Sequence, residues 1–388
     1  MPRYRIYDVI IVGAGPGGSL TGYLLSRQGL NVLIVEKKQL PRYKPCAGGL
    51  TRRALNILPF DISDVTEDHS YTVKVSIQNK IVFIKTEDHP IIAMVMRDKF
   101  DYFLVGKAIS AGAHLLDGAA FRSLSGSIGN LNVETSKGIF KTQLLVGADG
   151  VNSRVARKLR WAVRRNVMTA IEGEVFYGNV KTVENLKSSV HFDFGVIPGG
   201  YGWVFPKSDH LSIGVVSTSS RIKHLKLYFS SYMKMKRLDA YAEVRSLRTH
   251  LIPFGPDKTN IFADQRGLLV GDAAGFADPV TGEGIFFTIR EAQIASKAIL
   301  DGLTLGPEYV EEYNDLLKKE FMDELTCAKR LSYMLYKFPY ISHMVLKSRG
   351  RILGQYYLDI VSGRMSYGGL YNNMFGLSSI LRFVFDRS

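Results

Sequence analysis

The stretch "YDVIIVGAGPGGSLTGYLLSRQGLNVLIVEK", Tyr7 to Lys37, decides the fold. Asp8-Val9-Ile10-Ile11-Val12 is a short apolar run rich in β-branched residues, the pattern of a strand buried in a parallel sheet. Gly13-Ala14-Gly15-Pro16-Gly17-Gly18 then matches G-x-G-x-x-G. In that motif the first glycine makes a tight turn and the second lets backbone approach a pyrophosphate. The third lets the helix pack close to the strand. Ser19 to Arg27 has helical spacing, and Val32 to Val35 reads as the next strand. Glu36, with Lys37 beside it, closes that strand where a carboxylate accepts ribose hydroxyls. Strand, glycine turn, helix, strand and terminal acid together predict an ADP-containing cofactor, its phosphates held at the helix N-terminus.

Outward from this unit, residues 70 to 96 alternate apolar and polar, and "MRDKFDYFLVGKAISAG" reads as a helix beginning near Asp98. Residues 113 to 148 look like a β-meander that returns to the sheet strand "LLVGADG". Residues 161 to 262 are strand-rich with Gly-Pro turns. "GLLVGDAAG" is a further strand entering a loop, "GIFFTIREAQIASKAIL" is a long helix, and the remainder is helical. The predicted class is α/β. A discontinuous Rossmann-like cofactor domain spans 1–68, 95–160 and 262–305. An inserted antiparallel β-rich substrate lobe takes 69–94 and 161–261, and a helical C-terminal region takes 306–388.

Two later blocks select the cofactor. "GADGVNSRVARKL" puts Asp149-Gly150 at a strand end, and "LLVGDAAGFADPVTGEGI" puts Gly271-Asp272 at another. A nicotinamide dehydrogenase has no need of an acidic loop this late in the chain. A flavin does, because its ribityl chain and ring extend beyond the ADP half. Asp272 suits the ribityl hydroxyls. The Gly282-x-Gly284 turn, reached through Pro279, opens a helix at Ile285 whose N–H groups suit negative charge on a reduced ring.

These blocks, in this order, resemble the flavin monooxygenase superfamily with the p-hydroxybenzoate hydroxylase type of fold. Arg97 resembles that superfamily's arginine at a helix start near the flavin. "KPCAGGL" (44–50) and "PGGYGWVFP" (198–206) are similar to motifs of the geranylgeranyl reductase family. Ala47 departs mildly from the glycine or serine more usual there. The resemblance covers roughly residues 5 to 300 and implies an FAD enzyme that saturates isoprenoid double bonds by hydride transfer.

Within that frame Gly48-Gly49 is expected to let backbone lie against the flavin ring, with Cys46 lining the cavity beside it. Cys46 then serves as a proton donor or a shape-setting group; packing as a small buried hydrophobe is the competing reading. Tyr201 and Trp203 are expected to wall the cavity and grip a prenyl chain, against the simpler alternative of two core aromatics at a bend. No histidine pair has metal-ligand spacing, so no metal is expected. A monooxygenase acting on an aromatic or other apolar molecule shares every FAD block and is the rival reading.

Composition adds the setting. The chain has 388 residues, 46% hydrophobic and 22% charged, with a net charge of +14. Two cysteines exclude a disulfide framework. No leader and no membrane-spanning run is expected. Half of the excess charge follows Cys327. There Lys329, Arg330, Lys337, Lys347, Arg349, Arg351, Arg364, Arg382 and Arg387 face only Asp359 and Asp386. Tyr333, Tyr336, Phe338, Tyr340, Tyr356, Tyr357, Phe383 and Phe385 are interleaved with them. That mixture suits an anionic membrane surface, and nucleic acid lacks any motif. The expectation is a cytoplasmic, membrane-associated protein with a prenyl lipid substrate. Its electron donor would be NAD(P)H or a ferredoxin-type carrier, since no second G-x-G-x-x-G is present.

Overall fold

The computed structural model describes residues 6–161, 163, 166–178, 186–187, 189–240, 242–257 and 259–375. Arg382, Phe383, Phe385, Asp386 and Arg387 lie outside them.

Apolar runs build the first sheet. Ile6–Val12 pairs in parallel with Val32–Val35 on one side and with Gly138–Gly147 on the other. His114–Leu116 and Gly267–Leu269 extend the parallel set at its two edges. Strand Val32–Val35 is buried throughout, as a run covered on both faces must be. Helix Pro16–Arg27 packs against both Arg97–Ser110 and Ile285–Leu305. Phe121–Ser127 and Asn130–Thr135 form the antiparallel meander leading into Gly138–Gly147. The α/β class and the helical C-terminal region agree with the sequence reading.

A seven-stranded sheet stands against this unit. Its order is Glu243–Phe254, Asn166–Phe176, Leu211–Ser217, Gly200–Pro206, Ser189–Phe194, Thr72–Ile77, Lys80–Thr86. All its pairings are antiparallel except Ser189–Phe194 with Thr72–Ile77. A small third sheet joins Gly49–Thr51, Ile92–Val95 and Thr66–Ser70.

Period-2 alternation sorts the side chains of the large sheet onto two faces. Ala170, Phe192, Tyr201, Trp203, Phe205 and Val216 share one buried cluster, which also takes in Tyr336, Leu358 and Val361 of the C-terminal helices. Ile171, Val204, Ile213 and Val215 face the other way. That second face is covered by helix Leu225–Met235, which the strand-rich reading of 161–262 missed. Its signal was present: Leu225, Phe229, Tyr232 and Met233 recur at helical spacing and are buried.

Two glycines seat aromatics on opposite faces. A Cβ on Gly214 would lie 2.2 Å from the Trp203 ring, and one on Gly202 would lie 2.8 Å from Tyr232. Gly214→Ala is therefore expected to displace the Trp203 indole and to cost ~1–3 kcal/mol of stability by overpacking. A lowered urea midpoint together with a shifted tryptophan emission would register this.

Candidate active site

Two hollows meet where the cofactor sheet faces the large sheet. The larger one is bordered by Gly13, Glu36, Lys37, Asp149 and Gly150. The turn at its floor is tight. Gly13 has φ +111°, and a Cβ there would sit 2.2 Å from the Ala148 carbonyl oxygen. A Cβ on Gly18 would sit 1.9 Å from the Gly13 oxygen. Those two glycines are needed by the protein itself. Gly15 differs: its Cβ would meet only Arg42 at 3.9 Å, so its missing side chain leaves an open cradle at the helix start. The Glu36 carboxylate accepts N–H bonds from Ala14 and Lys38, each 3.0 Å. One Asp149 oxygen accepts from the N–H groups of Arg154 and Val155, capping the helix Arg154–Lys158. Its other oxygen is buried without a partner. An open cradle, an acid at the strand end and an orphaned carboxylate oxygen fit the ADP half of FAD.

The second hollow continues past Gly15, Pro16 and Gly17 to the predicted flavin-ring residues. Cys46, Ala47, Gly48, Gly49 and Arg97 line it from one side. Gly271, Asp272, Gly282, Gly284 and Ile285 line it from the other, and Tyr201 and Trp203 from the large sheet. Pro279 is buried in the turn before Gly282, and Gly18 within the first turn. Burial alone would raise the Asp272 carboxyl. Lys44 at 3.2 Å, His250 and Arg97 outweigh it and hold Asp272 well below the usual carboxylate range. It is thus a fixed anion, able to accept from hydroxyls. Gly284, with nothing closer than 3.8 Å to its Cβ position, leaves the start of helix Ile285–Leu305 open to the hollow.

Gly48 and Gly49 border this hollow, but the protein itself explains their missing side chains. Gly48 has φ +68°, and its Cβ would lie 2.0 Å from the Val95 carbonyl oxygen. A Cβ on Gly49 would lie 2.8 Å from the Phe205 ring. Packing of the loop against its own walls, rather than a flat ring alone, demands the pair. Cys46 is a half-buried free thiol whose Sγ accepts from the Gly48 N–H at 3.4 Å, and it lines the hollow together with Arg97. Arg97 is tied bidentately to the buried Asp101, at 2.8 and 3.0 Å.

Several groups in or behind the lining carried no sequence motif. Lys207, buried, donates to the Ala47 oxygen at 2.7 Å and the Val95 oxygen at 2.9 Å. Burial lowers its pKa despite the nearby Glu174, Cys46, Glu172 and Glu67. Glu172 also borders the flavin-side hollow. Its carboxylate accepts from Tyr43, 129 residues away in the chain, at 3.0 Å. Only the position of Lys207, just after "PGGYGWVFP", gave any hint.

A third cavity, about 540 Å³ and almost wholly apolar, opens between the large sheet and the C-terminal helices. It shares Phe192, Tyr201, Thr281 and Tyr357 with the flavin-side hollow. Tyr201 donates its hydroxyl to the Thr281 carbonyl, so its polar end is satisfied and its ring remains for contact. Tyr336 and Tyr357, grouped in sequence with the basic tail's aromatics, turn inward instead. Tyr333, Phe338, Tyr340, Ile341, Met344 and Ile352 are exposed. Among the described residues no helix is long and apolar enough to cross a membrane.

The cradle at Gly15 gives a direct test of the cofactor. Gly15→Val is expected to leave the apoprotein's melting temperature unchanged. FAD should bind at least ~10-fold more weakly, about 1.4 kcal/mol or more, as read by flavin fluorescence titration.

Comparison with known proteins agrees with this geometry. Residues 6–196 match an FAD binding domain family. An uncharacterised protein of Methanosarcina barkeri is 33% identical over 343 residues, 88% of this chain and 85% of its own. A chloroplastic geranylgeranyl diphosphate reductase of Nicotiana tabacum is 27% identical over 81% of this chain and 70% of its own. The fold is also that of a geranylgeranyl bacteriochlorophyll reductase-like protein from Thermoplasma acidophilum, with a TM-score of 0.78. That structure is 22% identical over 86% of this chain and 88% of its own. The open cradle at Gly15 and the anion at Asp272 fit an FAD cofactor, and these relatives lead to one conclusion: the chain belongs to the geranylgeranyl reductase family of FAD-dependent oxidoreductases.

Proposed function

We propose that this protein saturates carbon–carbon double bonds of a geranylgeranyl or related prenyl group, carried on a lipid, chlorophyll or quinone precursor. The observation that carries this reading is the junction of the apolar cavity with the flavin-side hollow through Phe192, Tyr201, Thr281 and Tyr357. At about 540 Å³ the cavity falls within the ~300–1,000 Å³ usual for ligand pockets. Its walls offer dispersion and water exclusion rather than polar recognition. Each buried CH₂ contributes about 0.8 kcal/mol, so a chain of isoprene units supplies its own affinity.

Bound FAD, reduced by NAD(P)H or a ferredoxin-type donor, supplies a hydride. The chain's residues do the rest. Trp203 and Tyr201, each tightly packed, hold the alkene's position, and Cys46 narrows the cavity opposite them. The apolar lining keeps water away from the reacting carbons. The cavity's rim supports a peripheral position on an anionic membrane surface. Phe338 and Ile341 are both exposed and part of its lining. Tyr340 and Met344 stand out beside the exposed Lys337, Lys347, Arg349 and Arg351. A substrate tail could pass from bilayer to cavity without crossing water.

Anaerobically reduced holoprotein mixed with geranylgeranyl diphosphate is expected to reoxidise its flavin and yield products heavier by H₂ for each bond reduced, as read by mass spectrometry. Oxygen uptake coupled to hydroxylation of an aromatic, with no prenyl turnover, would instead favour the monooxygenase reading.

Lys347→Glu, Arg349→Glu and Arg351→Glu together should release the protein from phosphatidylserine vesicles in sedimentation, at about 1 kcal/mol per neutralised contact. Raised salt should do the same to wild type. Equal sedimentation of both proteins at low salt would assign the basic helix another role.

A further inference from the structure

We propose that Asp209, His210, Glu174, Tyr43 and Glu172 form a proton relay from solvent to the reaction cavity, with Glu172 delivering the proton. The inference rests on the reductase reading above, because saturating an alkene consumes a proton as well as a hydride.

The links are continuous. Asp209 stands at the surface, its side chain 71% exposed, 2.6 Å from Nδ1 of His210. Nε2 of the same ring lies 2.9 Å from Glu174 Oε2. Tyr43 Oη lies 3.3 Å from Glu174 Oε1 and donates to Glu172 Oε1 at 3.0 Å. Glu172 then borders the flavin-side hollow. Each interior member is able both to give and to accept a proton. Stacking on Phe176, with ring centroids 4.6 Å apart, holds the imidazole in line.

Register brings the end of this chain to the reaction wall. Glu172 and Trp203 both pair with Gly214 on the strand between them. The Trp203 ring occupies the place of the side chain that Gly214 lacks. Indole and carboxyl therefore adjoin on one face of the sheet.

The surroundings favour a retained proton. Burial and the neighbouring Glu174 push the Glu172 carboxyl up, while the Tyr43 hydrogen bond and Lys207 only partly oppose them. Burial would lower His210, but Glu174 and Asp209 outweigh it and raise its pKa. Gly214, on one neighbouring strand, brings no charge. Arg248 and His250 come from the other, opposite Glu172 and Ala170. Arg248 is exposed. Two buried carboxyls two residues apart on one strand face are costly when both are ionised, and a shared proton removes that cost.

In the step, the alkene π bond breaks. One carbon receives the hydride and its electron pair from the reduced cofactor, and the other bonds the proton of Glu172. The cofactor is oxidised, the alkene reduced, and Glu172 left as carboxylate. Protonated His210 then gives its proton to the Glu174 carboxylate, Glu174 passes one to the Tyr43 oxygen as Tyr43 gives its own to Glu172, and solvent restores His210 through Asp209.

Two measurements test this. Infrared titration of the apoprotein should show a neutral carboxyl at neutral pH that ionises on the alkaline side and is missing from Glu172→Gln. Reduced holoprotein mixed with geranylgeranyl diphosphate should turn over more slowly as pH rises through that ionisation. A raised pKa leaves the delivering form present below it and lost above it. Glu172→Gln should cut the rate about 100-fold or more and abolish the alkaline fall. Tyr43→Phe should slow turnover with FAD content unchanged, and it carries the test if Glu172→Gln does not fold. Wild-type rates and an unchanged pH profile in both variants would overturn the relay, as would an apoprotein without a neutral carboxyl. If wild type leaves every prenyl substrate unreduced, the reductase reading falls and this role falls with it; the wild-type control separates the two failures.

Discussion

A single buried ammonium joins the two halves of the active site. Lys207 leaves the large sheet at the end of Gly200–Pro206 and donates to the carbonyls of Ala47 and Val95. Those carbonyls belong to the loop carrying Cys46 and to the strand that leads into Arg97. Burying an amine costs several kcal/mol unless its donors are satisfied. Here two short hydrogen bonds and the nearby Glu174 offset part of that cost. The same bonds fix the height of the Cys46 loop above the sheet. A lysine serves where a hydrophobe could not, since two carbonyls converging on one point need a donor between them.

Once the loop is fixed, shape follows from side chains that are missing. Gly48 admits the Val95 carbonyl, Gly49 the Phe205 ring, Gly214 the Trp203 indole and Gly202 the Tyr232 ring. The Trp203 indole is thus seated against the large sheet on the cavity face and the Tyr232 ring on the opposite face, while Phe205 reaches across to the strand of Gly49. Close packing of this kind tolerates little change in volume, which makes the cavity's outline a property of the backbone as much as of its lining.

What the sequence disclosed divides along the same line. The glycine turn, Glu36 and the Gly271-Asp272 block were legible as structural features because local backbone demands dictate their residue types: φ above zero at Gly13 and Gly271, an open helix start at Gly15, an acid at a strand end. Lys207, Glu172 and Tyr43 were not, because their meaning lies in contacts over a hundred residues apart that no local pattern encodes. Gly48-Gly49 was legible as a close approach, yet the approaching groups include Val95 and Phe205, which only the fold could name. Helix Leu225–Met235 was overlooked because strand-like neighbours on both sides masked a short amphipathic run. Tyr336 and Tyr357 were grouped with surface aromatics because composition records how many there are and not which way they point.

The division between the cofactor hollow and an apolar cavity also constrains where a proton enters. The apolar cavity is walled by Val, Leu, Phe and Tyr side chains, and the hydroxyl of Tyr201 is already given to Thr281. Water admitted there would forfeit the exclusion on which the proposed prenyl binding depends. The flavin-side hollow is different: charged groups gather on its sheet wall at Glu172, with Lys207 and Tyr43 behind it and an unbroken line of hydrogen bonds out to Asp209. On the proposed reading, hydrocarbon and proton enter from different sides of the flavin-side hollow. One face of one sheet is apolar toward the C-terminal helices and carries the hydrogen-bonded carboxyls toward the Tyr43 loop, and Gly214 matters to that arrangement because its missing side chain lets the indole lie beside Glu172.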